Sequence, residues 1–319
     1  MSTLLDYVMR VSKTIPIPAP SLLYLQQCLV IVKQKTGETP KTVVKITSDS
    51  DLAAITDSTA PLALKDGGMS YFYALPMNNL ALNSATITNI NEFKYWTILI
   101  DPAFTDEEVG SLVLPDDFTG VVSGTSKDDR FVEEQNKKNN YAWFYGIEET
   151  NGRNMFKAFG SLLSKPKNKW TNQQYLAMDH SDEINTNETA DAMFDLRANF
   201  VLSDEEFGNR LALFCVGGNG KARAIIAPYV YEEITRVLQG AALTYINLNE
   251  PDYNVAEAAL LQKYLQGKLN KYIEDGTIEE GTVTVGVGNE QFIMTGGIVV
   301  AEVSALWRLK VNFQEGEIE

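Results

Sequence analysis

One histidine and two cysteines are all that this 319-residue chain offers to imidazole and thiol chemistry. Most acid–base, nucleophilic and transition-metal sites draw on those groups, so catalysis here would have to rest on carboxylates alone. The cysteines, Cys28 and Cys215, both sit in apolar runs ("QQCLVIV" and "ALFCVGG"). That setting reads as small buried hydrophobes rather than a disulfide or a nucleophile, and it points to a reducing compartment. Cationic residues are also few: 27 Lys and Arg stand against 42 Asp and Glu, a formal net charge of −15. Phosphate contacts need clustered Lys and Arg, so nucleic acid is excluded as an expected partner. Self-assembly of so acidic a chain must bury enough apolar and backbone surface to overcome self-repulsion. No apolar run approaches the roughly 20 residues that span a bilayer, so no membrane insertion is expected. The start, "MSTLLDYVMRVSKTIPIPAP", lacks the apolar core and small-residue cleavage site of a signal peptide. The expectation is a protein made in a cytoplasm.

What is present is a strand–helix alternation. Pro16, Pro18 and Pro20 exclude a regular helix, so residues 1–20 read as an extended arm, with "LLDYVMRV" a short strand in it. Residues 21–90 form an α/β segment of the core. In it "LLYLQQCLVIV" and "TVVKIT" are strands. "SDSDLAAIT" is a short helix capped by Ser48 or Asp49, with Asp51 in its first turn. "GGMSYFYALPMNN" is a strand ended by Pro76. Residues 91–245 form an α/β domain. "KYWTILID" is its first strand, and Thr105 with Glu108 makes a capping-box pattern. "SKDDRFVEEQNKKNN" is a polar surface helix and "YAWFYGIEE" a buried strand. In "NMFKAFGSLLS" Met155, Phe156, Phe159, Leu162 and Leu163 share one helical face. "QQYLAMD" is a strand, "TADAMFDLRANF" a helix and "RLALFCVGG" a strand. Ile234, Val237, Leu238 and Ala241 are spaced for a helix.

Residues 246–303 carry the clearest helix. Asn254 caps it, Glu257 stands in its first turn, Leu261, Leu265 and Leu269 line one face with Tyr264 and Tyr272, and Gly276 closes it. Two glycine-rich strands, "GTVTVGVGN" and "QFIMTGGIVVAEV", follow. In residues 304–319, Trp307, Leu309, Val311 and Phe313 alternate with Arg308, Lys310 and Asn312, the period of a strand with one buried face. The expected fold class is therefore α/β: a mainly parallel sheet layered with helices, plus a terminal β-rich part with extended N- and C-terminal arms.

Motifs that carry chemistry fail on inspection. His180 ends a strand beside Asp179, where α/β sheets often place ligands, but no nucleophile-elbow pattern accompanies it. "GGNGKA" has too short a spacing from Gly217 to Gly220 for a P-loop. Lys221 is followed by Ala222, without the hydroxyl that holds magnesium. A hairpin turn accounts for it. "GVGNEQ" lacks the third glycine of a dinucleotide fingerprint. No cofactor, metal or catalytic residue is expected. A soluble α/β enzyme or ligand-binding protein with a pocket near Asp179 and His180 stands as the alternative.

The order of these segments resembles the contractile-tail sheath proteins. The resemblance is carried by "LLYLQQCLVIV…TSDSDLAAIT…GGMSYFYALP", by "YAWFYGIEE" and "QQYLAMDHSDEI", and by "FGNRLALFCVGGNGKARAIIAPYV". "EAALLQKYLQGKLNKYIEDGTIEEG" and the terminal "LWRLKVNF" extend it. It implies a structural subunit, not an enzyme, in a virion tail assembled in the host cytoplasm. Such subunits stack as hexameric rings in a helix around an inner tail tube, between baseplate and tail terminator proteins. Their terminal arms add strands to the sheets of neighbours. The resemblance thus assigns Leu4, Leu5, Tyr7 and Val8, and Trp307, Leu309, Val311 and Phe313, to subunit contacts. It makes Lys263, Lys268 and Lys271 candidates for contact with an acidic tube. The helix dipole accounts for those three lysines equally well.

Overall fold

A central parallel strand flanked by parallel neighbours organises the larger of two units. The structure is a computed structural model. It describes residues 23–36, 42–78, 96–112, 114, 118, 120–145, 148–164, 178, 187–202, 208–217, 223–249, 251–252, 254–287 and 294–300. These fall into two compact units, one running to Ile226 and one beginning at Ala227.

In the first unit, β1 (Cys28–Lys33) is a continuous apolar run with only Lys33 partly exposed, as a strand covered on both faces must be. The expected strand starts later than "LLYLQQ" suggested, because Leu23–Gln26 is a 3-10 turn. β2 (Val44–Ile46), a helix α1 (Asp49–Ala53), a second short helix α2 (Ala63–Asp66) and β3 (Phe72–Met77) follow. Ser48 caps α1 and Asp51 returns the bond to the Ser48 N–H, a complete capping box. The strand expected to stop at Pro76 runs through it. Pro76 lies opposite Val32, while β2 reaches only to Ala74, so the missing N–H of Pro76 costs no ladder bond on that side.

β4 (Thr97–Ile100) is wholly buried. It leads to α3 (Asp106–Gly110), whose capping box joins Thr105 and Glu108 as the spacing requires. With β5 (Val121–Ser123) these make a five-stranded sheet in the order β2-β3-β1-β4-β5, parallel except for β2. The mainly parallel α/β class expected from the alternation is what forms.

β6 (Thr125–Ser126), α4 (Asp129–Lys137) and β7 (Phe144–Tyr145) continue the chain, with β6 and β7 parallel. α4 departs from the expected polar surface helix, since Val132, Gln135 and Asn136 are buried. The Asn136 amide donates to the Arg197 carbonyl at 3.1 Å and accepts the Trp143 N–H at 2.9 Å, standing in for a strand neighbour. "YAWFYGIEE" supplies only the two residues of β7, because Glu148 already opens the next helix. In that helix, α5 (Glu148–Leu163), the five expected core residues are all buried. Gly160 lets α5 approach α2 closely, since a Cβ there would strike the Leu64 carbonyl. α6 (Asn187–Asp195), β8 (Phe200–Leu202) and β9 (Arg210–Leu213) follow, then the antiparallel pair β10 (Cys215–Val216) and β11 (Arg223–Ala224). That pairing agrees with a hairpin at "GGNGKA". The Gly-Asn-Gly turn itself and the expected strand "QQYLAMD", apart from Met178, lie outside the described residues. Both cysteines are buried and unpaired. Burial pushes the Cys28 thiol up beyond its ordinary range and the Cys215 thiol up to about 12, so neither offers a thiolate.

The second unit begins with α7 (Ala227–Asn249), which runs on past the division read after residue 245. α8 (Val255–Glu274), β12 (Gly281–Val287) and β13 (Met294–Val300) complete it, the strands forming an antiparallel pair. Ile234 and Leu238 of α7, Leu261, Leu265 and Leu269 of α8, and Val283 of β12 make its core. No helix among the described residues is long and apolar enough to cross a membrane.

Candidate interaction surface

α8 is built as its sequence spacing dictates. The Asn254 side chain accepts the Glu257 N–H at 2.9 Å, and Gly276 ends the helix at φ +74°, where a side chain would be strained. Leu261, Leu265 and Leu269 recur every four residues and face α7 and β12 in the core. Tyr272 ties the two helices together, its hydroxyl donating to Glu233 Oε1 at 3.3 Å. Burial, followed by the adjacent Glu233 carboxylate, holds the Tyr272 phenol proton well above its usual range.

Off this core, α8 presents the three lysines singled out in sequence. Lys263, Lys268 and Lys271 line one open concavity of about 480 Å³, with Leu260, Tyr264 and Gly267 beside them and Tyr245 contributed by α7. Lys268 Nζ lies 5.0 Å from the centroid of the Tyr264 ring, and Tyr264 packs against Tyr245 at 5.2 Å. The cation–π contact holds one lysine against an aromatic floor. None of the three lysines makes an ion pair among the described residues. Leu260 is 53 % exposed at the rim, and Leu248 and Val255, near the α7–α8 connection, are 78 % and 76 % exposed. The lysines are singled out by their place on α8, whereas Tyr245 joins them only through helix packing.

A cationic floor with exposed apolar side chains suits an acidic, partly apolar macromolecular surface. Its lining holds no Ser, Cys, His, Asp or Glu. A second concavity, of about 460 Å³, lies between α3 and α4 and is lined by Asp106, Glu107, Asp128 and Glu134 around Phe131. Asp106, Glu107 and Asp128 sit at helix N-termini, where carboxylates are favoured, Glu134 lies midway along α4, and Arg130 and Lys138 line the same concavity. Among the described residues, no group of three or more His, Cys, Asp or Glu side chains is placed to hold a metal ion. The expected subunit contacts, Leu4, Leu5, Tyr7 and Val8, and Trp307, Leu309, Val311 and Phe313, lie outside the described residues. So do Asp179 and His180.

No protein-family model matches the sequence, and no curated protein matches it at the sequence level. Solved structures do match it in three dimensions. The helical sheath of the anti-feeding prophage in its contracted state superposes with a TM-score of 0.63 at 15 % identity, over 96 % of this chain and 97 % of that one. A chain of the anti-feeding prophage baseplate gives 0.62 at 14 %, over 95 % and 97 %. This chain has the contractile-tail sheath fold. The sheath tail protein of Desulfitobacterium hafniense shares that fold with a TM-score of 0.53 at 8 % identity, over 91 % of this chain and 100 % of that one. The sheath fold therefore extends over nearly the whole chain, including both units and the lysine-bearing helix.

Proposed function

We propose that this chain is a structural subunit of a contractile, phage-type tail sheath, with no catalytic role. Subunits stack as hexameric rings in a helix around an inner tail tube, bounded by baseplate and terminator proteins. Contraction drives the tube through the host envelope. The arms carrying Leu4, Leu5, Tyr7 and Val8, and Trp307, Leu309, Val311 and Phe313, donate strands to neighbouring sheets. The lysines of α8 face an acidic tube. Assembly takes place in the host cytoplasm and the product resides in the virion tail. The observation that supports this reading is the match over 96 % of the chain to a subunit of a contracted helical sheath. Two features of the second unit agree with it: a two-stranded sheet able to take further strands, and large apolar side chains left in solvent.

The test is electron microscopy of concentrated, negatively stained protein. Tubes or stacked rings of uniform width are expected, and a uniform field of monomers would overturn the reading.

A further inference from the structure

A two-stranded sheet has two edges, and in this one they are not equivalent. α8 lies along β12, and two of its glutamines bond to the strand's backbone. Gln266 Oε1 accepts the Val283 N–H at 2.8 Å, and Gln262 Oε1 accepts the Val285 N–H at 3.1 Å. Gln266 Nε2 donates to the Gly281 carbonyl at 3.1 Å and to Asn270 Oδ1 at 2.8 Å, which fixes the amide orientation. The spacing explains the fit. Residues four apart on a helix repeat every ~6 Å along its axis, and alternate residues of a strand every ~6.8 Å. One glutamine per helical turn therefore reads one outward N–H per strand repeat.

In an antiparallel ladder, residues opposite one another point their backbone N–H and C=O groups either inward at each other or outward to the two opposite edges. Gly281, Val283 and Val285 face outward to the glutamines, and their partners are Val300, Ile298 and Gly296. Those three β13 residues consequently direct their N–H and C=O groups to the other outer edge. No described strand pairs there. Gly296 and Gly297 lie in this stretch, and glycine in a strand allows close approach of another backbone.

We propose that Gln262 and Gln266 seal the β12 edge, so that the sheet accepts an incoming strand only along β13. That strand is the Trp307–Phe313 segment of a second copy of this chain, since it has the seven-residue length of β13 and alternates apolar with polar side chains, whereas the apolar residues of Leu4–Val8 come in adjacent pairs. The inference rests on the strand-donating reading above and adds its direction. Side-chain amides occupy the donors of one edge, and a strand adds where donors and acceptors are both free. The seal makes sheet extension one-sided, so the contact between copies is heterologous: a donor segment of one copy meets a different surface, the β13 edge, of the next.

Disulfide trapping in the assembled full-length protein tests it. Cysteine is placed at Val299 on β13 or at Thr282, its partner on β12. Each is combined in turn with Arg308→Cys, Lys310→Cys or Asn312→Cys. The native Cys28 and Cys215 are buried and do not compete. A strand added on β13 puts the Val299 position within disulfide range and leaves β12 one strand further away, beyond the ~7 Å Cα limit. Covalent multimers are expected with Val299→Cys and none with Thr282→Cys. Multimers with Thr282→Cys would overturn the proposal, as would a closed-loop monomer in place of multimers. If uniform tubes form and neither strand cross-links, strand donation itself fails, and the seal with it. Adding Gln262→Leu and Gln266→Leu should open the β12 edge and produce Thr282→Cys multimers. Continued silence there would show that the glutamines do not set the direction.

Discussion

The first unit encloses its apolar residues around a parallel sheet, whereas the second leaves several in water. All four large apolar side chains exposed among the described residues, Leu248, Val255, Leu260 and Val287, belong to the second unit. In both units side-chain amides substitute for strand neighbours, but in different places. Asn199 grips Cys215 on a fully buried strand, Nδ2 donating to its carbonyl at 3.0 Å and Oδ1 accepting its N–H. Gln262 and Gln266 do the same at a sheet edge that is only half-buried. The same chemical device therefore stitches an interior in one unit and finishes a border in the other. The first unit buries its large apolar side chains within itself, and the second leaves exposed a face that the proposed sheath assembly would cover.

The sharpest way to break that comparison is to truncate one side chain from each unit. Trp143 is fully buried, with Phe131 at 5.9 Å edge-on and Tyr141 stacked at 6.3 Å between ring centroids. Trp143→Ala should cost about 3–5 kcal/mol, the sum of lost transfer energy and a cavity that cannot fully collapse. Leu260→Ala should change monomer stability by no more than about 0.5 kcal/mol. Urea denaturation of both variants measures the contrast. Similar losses would mean that Leu260 is covered in the free monomer.

A smaller effect separates the units by pH. Asp101 follows β4 and is 1 % exposed. Its Oδ1 accepts the Ser58 hydroxyl at 2.8 Å and the Ala103 N–H at 3.0 Å, while Oδ2 is buried with no hydrogen-bond partner among the described residues. Burial raises its pKa from 3.8 to about 6, against those hydrogen bonds and the Lys33 charge. The folded protein thus holds this proton more tightly than the unfolded chain. The resulting stability is fully present below about pH 4 and is lost as pH rises through 6. At 1.36 kcal/mol per unit, the loss is on the order of 2–3 kcal/mol. Asn cannot ionise, so wild type should lose about that much relative to Asp101→Asn between pH 4 and pH 7, measured by urea midpoint. A constant gap across that range would show that the carboxylate is not held out of water.

Capping and burial were legible in the sequence wherever the physics is local. Ser48 with Asp51, Thr105 with Glu108, and Asn254 with Gly276 act within four residues or mark a helix end, and each forms as its spacing demands. The apolar face of α5 was legible for the same reason, since helical periodicity carries it. Long-range amide bonds were not. Asn136 sits in "EEQNKKNN", a run that reads as solvated, and only the fold brings Arg197 and Trp143 to it. Gln262 and Gln266 alternate with lysines on α8 and look like ordinary surface residues until β12 is laid beside them. The three lysines were legible as charges, but Tyr245 was not, because it lies 18 residues before Lys263 on another helix. Pro76 shows the converse. A local rule ended the strand there, and the short reach of β2 made the rule irrelevant.

The least effect on folding, and the largest on assembly, should come from the lysine face. Lys263 and Lys271 are exposed, Lys268 is partly so, and none of the three is ion-paired among the described residues. Reversing all three (Lys263→Glu, Lys268→Glu and Lys271→Glu) removes one cation–π contact and a favourable charge near the C-terminal end of α8, together about 1 kcal/mol. The melting temperature should fall by only a few degrees, because the α8 core of Leu261, Leu265 and Leu269 is untouched. Across an interface the same change turns three attractions to an acidic surface into three repulsions, and like-charge juxtaposition there costs several kcal/mol. If the proposed tube contact holds, the triple variant should therefore still self-associate but no longer enclose the tube, read as empty assemblies and free tube by electron microscopy of a co-assembly mixture. Undiminished co-assembly would remove these lysines from the tube interface and leave them to the helix dipole. Loss of sheath self-association would instead move the face from tube to neighbouring subunit. Either result tells whether tube or neighbouring subunit meets this face in the proposed assembly.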